Sequence, residues 1–138
     1  MQEEEAKNQM EAQALELAEE VDLLKKYGPE FEEKIPEMKK WNEKKEMLDG
    51  LFNDANVPKI MPGNYINLLT IIKKMVGDTN PAVSQAAVKA IGAIAKGLRK
   101  NFESYVKDLM PVLIQKFKEK RPGFADDVFT ALDNFMLS

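Results

Sequence analysis

Apolar residues recur along this chain at the spacing of an α-helix, and the turns that interrupt them recur at a nearly constant interval. Between Asn64 and Val76 the residues Tyr65, Leu68, Leu69, Ile72, Met75 and Val76 match the helical template at every step. Val83, Ala87, Ala90, Ile91, Ile94, Ala95 and Leu98 do the same in the following segment, which runs to about Arg99. Phe102, Tyr105, Val106, Leu109, Leu113 and Phe117 form a third stripe, and Val128, Phe129, Leu132, Phe135 and Met136 a fourth. No stretch sustains the period-two alternation of a half-buried strand. The fold class that follows is all-α.

The punctuation supports that reading. Gly77 suits the end of one helix, and Asn80 caps the next with Pro81 at its first position. Asn101 is placed to cap the helix after that, and Pro111 should kink or break it. A final helix is expected to open at Pro122. Upstream, Trp41, Leu48, Leu51 and Phe52 lie on one side of a helix ending near Asn53, and residues 54–63 read as a loop. Phe31, Ile35 and Met38 mark a short helix before Trp41. Residues 1–28 form an acidic amphipathic leader helix with a seam of Met10, Ala14, Leu17, Val21 and Leu24, closed by Gly28-Pro29. The segment after Asn80 is also rich in small residues, as expected of an inner helix held between two layers.

Composition narrows the chemistry. The 138 residues include no histidine and no cysteine. Thiolate nucleophiles, disulfides and thiolate metal sites are therefore excluded, together with the commonest general base. Neither a cofactor nor a metal is expected. The Asp126-Asp127 pair does not converge on a helix, and the methionines read as core filler. The net charge of −3 hides an asymmetry: residues 1–37 carry 12 acidic side chains against 4 lysines, and the remainder is net basic. A basic body suggests an acidic partner. No apolar run reaches the roughly 18 residues of a membrane span, and no signal-peptide core opens the sequence. A soluble intracellular protein is the default. The candidate partners are nucleic acid, an anionic membrane and an acidic protein surface. Nucleic acid is a poor one, because the basic excess is modest and no aromatic-interleaved basic stripe appears. Neither nucleic acid nor membrane is the expected partner.

Trp41 to Asp78 is 37 residues and Asp78 to Lys120 is 42. Two helices per unit of ~40 residues is the period of HEAT and armadillo solenoids. In such an array each intra-repeat turn projects from the same edge. The turns at residues 39–41, 77–80 and 118–122 should therefore align as one ridge.

The run Asp78-Thr79-Asn80-Pro81-Ala82-Val83, followed by Gln85-Ala86-Ala87-Val88-Lys89-Ala90-Ile91-Gly92, resembles the HEAT consensus, with Ser84 where an arginine is usual. Lys39-Lys40-Trp41-Asn42-Glu43-Lys44-Lys45-Glu46-Met47-Leu48 resembles the signature of a TOG domain of the microtubule polymerase family. The stretches Ile94 to Phe102 and Pro111 to Pro122 resemble the same domain. The resemblance covers roughly residues 21–138 and implies the N-terminal half of a TOG domain over 29–138, with HEAT repeats at about 30–57, 62–99 and 101–138.

The family implies a non-enzymatic module that binds αβ-tubulin through its intra-repeat turns and regulates microtubule growth in the cytoplasm, at spindle or centrosome. Carried onto this sequence, Trp41 is the aromatic anchor, flanked by Lys39 and Lys40. Asp78, Thr79 and Asn80 form the second contact, and Lys118, Lys120 and Arg121 the basic third turn. Asp78 has a structural alternative as a turn or capping residue. A generic HEAT scaffold for another protein is the alternative function. The apolar finish Phe135-Met136-Leu137 lacks the polar face of a capping repeat, which implies self-association there or cover by the leader helix.

Overall fold

The computed structural model describes residues 19–28, 34 and 38–136. Among the described residues six α-helices of four residues or more follow in order: α1 (Leu23–Lys26), α2 (Trp41–Ala55), α3 (Ile66–Val76), α4 (Pro81–Leu98), α5 (Glu103–Gln115) and α6 (Phe124–Phe135). Short 3₁₀ turns at Arg99–Phe102 and Lys116–Lys118 bracket α5. Among the described residues there is no strand, and Val21 and Ile60 form an isolated parallel bridge. The fold is the expected all-α solenoid.

Helix α4 is its axis. Fourteen of its 18 residues are buried, from Ala82 to Leu98. It packs against α2 on one side, α6 on the other and α3 as well. Its small residues permit this. A Cβ on Gly92 would lie 3.1 Å from both Cα and Cβ of Ala131 on α6. The second helices of the three repeats thus form one layer, with α3 and α5 in the other. Leu48, Leu51 and Ala55 from α2, Leu68, Leu69, Ile72 and Val76 from α3, and Phe124, Val128 and Phe135 from α6 fill the core around it. Ser84, the departure from the HEAT pattern, is buried, and its hydroxyl donates to the Val76 carbonyl at the end of α3. A short polar side chain here satisfies a helix-end carbonyl that would otherwise be orphaned.

Several boundaries differ from expectation, each for a local reason. Asn101 does not cap α5, because residues 99–102 wind as a 3₁₀ turn and leave Phe102 in the cap position, one residue beyond Asn101. Pro111 neither breaks α5 nor ends it; the helix runs on to Gln115. The last helix opens at Phe124 rather than Pro122, after Gly123. Phe129 was expected in the core stripe but is 66 % exposed, and Phe117, Ile114 and Met136 are also exposed. They lie on the outer side of the third repeat, where no further repeat stacks among the described residues.

The leader differs too. Residues 19–22 are not helical; Val21 is exposed, and Leu23 takes the buried place instead. Two backbone bonds stitch this segment to the 59–61 loop, Val21 N–H to the Lys59 carbonyl (3.1 Å) and Met61 N–H to the Val21 carbonyl (2.8 Å), and Ile60 N–H to the Gly97 carbonyl (3.0 Å) ties that loop to α4. The rest of the leader helix, the first helix of repeat one apart from Lys34 and Met38, and the end of the last repeat lie outside the described residues.

Candidate functional site

The first turn is built by its position at a helix start. Lys40 is extended, and Trp41 is the first residue of α2. Trp41 is 52 % exposed there. Lys39 and Lys40 are exposed beside it. Lys45, one helical turn further on, pairs with Asp49 at 2.7 Å.

The second turn is held by its own side chains. The Asn80 amide donates to Asp78 Oδ1 at 2.8 Å, and Asn80 Oδ1 accepts from the Ala82 amide at 2.9 Å, so Asn80 caps α4 with Pro81 next. Asp78 also pairs with Lys44 at 3.1 Å. Partial burial pushes the Asp78 carboxyl upward, but the Asn80 amide and Lys44 outweigh it and hold the group below the usual carboxylate range. Asp78 is partly buried and holds the turn together, while Thr79 and Gly77 are exposed.

The third turn carries Lys118, Lys120 and Arg121, all exposed. Arg121 Nε donates to Gln85 Oε1 at 2.8 Å, and Gln85 Nε2 donates to Asp127 Oδ2 at 2.6 Å. This relay ties the third turn to α4, as Lys44 and Asp78 tie the first helix layer to the second turn.

One open groove of about 660 Å³ joins the three turns. Trp41, Lys45 and Glu46 form its first wall, Asn80 and Pro81 its floor, and Arg121 its far side. Of the residues singled out in the sequence, the structure brings Trp41, Asn80 and Arg121 into this groove. Lys39, Lys40, Thr79, Lys118 and Lys120 stand on the same turns but do not line it. Lys44, Lys45 and Gln85 were missed. Lys45 falls four residues after Trp41 and Gln85 four after Pro81, so helical periodicity carried the signal. Among the described residues no group of three carboxylates is placed to hold a metal ion. The groove offers an exposed indole with Arg121 and Lys45 beside it, together with Glu46 and Asp49, and an exposed aromatic next to a guanidinium is the arrangement of a protein-docking anchor.

No family model matches the chain. Centrosomal protein 224 of Dictyostelium discoideum is 37 % identical to it over 117 residues, which is 84 % of this chain and 6 % of that protein. Spindle pole body component alp14 of Schizosaccharomyces pombe is 36 % identical over 118 residues, 85 % of this chain and 14 % of its own. Protein mini spindles of Drosophila melanogaster is 35 % identical over 127 residues, 89 % of this chain and 6 % of its own. A solved structure described as "Structural Basis of Microtubule Plus End Tracking by XMAP215, CLIP-170 and EB1" matches with a TM-score of 0.76 and 34 % identity, over 92 % of this chain and 52 % of that one. The chain thus spans about half of that solved chain and a small part of these curated relatives.

Proposed function

The chain is a HEAT-repeat solenoid that resembles a TOG domain in both sequence and fold, and from that premise we propose that it binds αβ-tubulin through its aligned turns. It acts in the cytoplasm as a regulator of microtubule growth, without a covalent step of its own. The observation that carries this reading is the shared groove: Trp41, Asn80 and Arg121 come from three different repeats and meet along one edge. A large apolar ring left half in water is costly unless a partner covers it. Cations around it suit an acidic surface, steering encounter and pairing with carboxylates at contact. The names of the relatives, which place them at centrosome and spindle pole body, support the same setting.

Each part has a role. Trp41 inserts as the anchor, with Lys39 and Lys40 at its rim. Thr79 and Asn80 present the middle contact, while Asp78 fixes their turn. Lys118, Lys120 and Arg121 supply the basic end. Gel filtration with unpolymerised tubulin tests the reading. The chain should co-elute at low salt and dissociate at high salt. Trp41→Ala, and separately Lys120→Ala with Arg121→Ala, should abolish co-elution. Undiminished co-elution in both variants would reject this edge as the site.

A further inference from the structure

A second site lies at the opposite end of α4. The helix opens at the ridge of turns and closes at Leu98, so its 18 residues separate the two ends by ~27 Å. Beyond Leu98 a cavity of about 310 Å³ is walled by Lys59, Arg99, Lys100, Asn101 and, from the leader segment, Glu20. Three cations face one carboxylate.

Two independent features converge on Arg99. Its backbone sits at φ 50° and ψ −121°, a conformation that side-chain-bearing residues rarely adopt, and it is the one non-glycine residue with positive φ among those described. Its Nε is buried and has no hydrogen-bond partner among the described residues. The residue as a whole is only partly buried, so its guanidinium stands at the cavity wall with one donor unpaired, on a strained backbone. A carboxylate seated in the cavity would give the guanidinium an acceptor.

The neighbouring chain indicates what that acceptor is. Residues 19–22 run alongside the 59–61 loop, with Val21 in a parallel bridge to Ile60, and Glu20 reaches Lys59 at 3.6 Å. An extended segment carrying a carboxylate is therefore what this edge already accepts. Gly97 permits the close approach of the loop: a Cβ there would lie 2.4 Å from Ile60, the neighbour of Lys59, and Lys59 and Arg99 line the same cavity. We propose that the Lys59–Arg99–Lys100 cavity is a docking site for an extended acidic peptide of a partner protein, whose carboxylates engage Arg99 and Lys59. Glu20 occupies part of the site and competes with that peptide. The site stands apart from the groove of Trp41 and does not depend on its function.

Fluorescence anisotropy with a fluorescein-labelled hexaglutamate peptide tests this on the whole chain. Saturable, salt-sensitive binding is expected, with none to hexaglutamine. Arg99→Lys keeps the charge but removes the Nε donor, and Lys59→Ala removes the neighbouring cation; each should weaken binding by ~tenfold or more. Glu20→Gln should tighten it. Circular dichroism melting of each variant reports folding, and Lys59→Ala, at a half-exposed surface position, keeps the test valid if Arg99→Lys is unstable. Absence of binding, or binding that survives both substitutions and is lost in Lys120→Ala with Arg121→Ala, would overturn the proposal.

Discussion

Lys44 on the first face of α2 and Asp78 in the turn that precedes α4 form an ion pair of 3.1 Å across the boundary between two repeats. Both side chains are mostly withdrawn from water, with 25 % and 15 % of their surfaces exposed. The same carboxylate accepts from the Asn80 amide, so one group fixes a turn and clamps it to its neighbour. The alignment of the first two turns is thus enforced by a specific contact as well as by stacking.

Lys44→Ala should lower stability by ~1 kcal/mol, above the usual value of an exposed pair because this one is partly buried. Urea unfolding of Lys44→Ala, Asp78→Asn and the double variant would give the coupling. Strictly additive losses would show that the pair contributes nothing.

Stability should be level through neutral pH, since no histidine or cysteine titrates there. Asp54 is held below its usual range by hydrogen bonds from Lys26 and the Tyr27 hydroxyl, and Asp78 is lowered as well. Their folded values lie below the unfolded one, so their contribution is present above ~pH 4 and is lost as pH falls through the folded values. At the alkaline end, burial first and then the charge of Asp22 push Tyr65 up to about 12. Its contribution is full below ~pH 10 and disappears as pH rises through the folded value. Chemical denaturation across pH should trace this plateau with two falling arms.

Trp41→Ala should change the melting temperature little, because the ring is 52 % exposed. It should nevertheless weaken tubulin binding by ~30-fold or more, the effect of losing a hot spot of ~2 kcal/mol. Trp41 is the only tryptophan, so its own emission reports on the site in every tryptophan-free partner peptide or surface mimic. A blue shift on binding is expected.

Two glycine substitutions should move stability in opposite directions. At Gly97 an added methyl meets Ile60 at 2.4 Å, and overpacking of this kind costs ~1–3 kcal/mol. At Gly50, inside α2, an added methyl meets nothing within 4 Å, and alanine should gain ~0.5–1 kcal/mol from helix propensity. Thermal melts of Gly97→Ala and Gly50→Ala would show the contrast.

Much of this molecule was legible in the chain because helical period and turn chemistry are local. Asn80 and Pro81 announced the start of α4, and the spacing of three turns announced one edge with Trp41, Asn80 and Arg121 on it. What could not be read depends on tertiary context. Phe129 has the right phase for the core but lacks a neighbour on that side. Val21 keeps helical phase with Leu24, yet its backbone pairs with Ile60 on the far side of a loop. The strain at Arg99 has no sequence signature, because arginine gives no warning of a positive φ. Lys44 and Asp78 are 34 residues apart, and nothing in either segment alone predicts their meeting.

The near-complete burial of α4 has a consequence for how the chain comes apart. A repeat array in which each unit leans only on its neighbours can fray from an end. Here the middle helix shares the largest interfaces, with α2, α3 and α6, so opening it exposes surfaces of all three together. The outer helices can exchange their amide hydrogens through small local openings, whereas the amides of α4 are released only when the whole array lets go. The ridge of turns and the cavity beyond Leu98 sit at the two ends of this slowest-exchanging rod. Each can therefore yield to a partner without loosening the other.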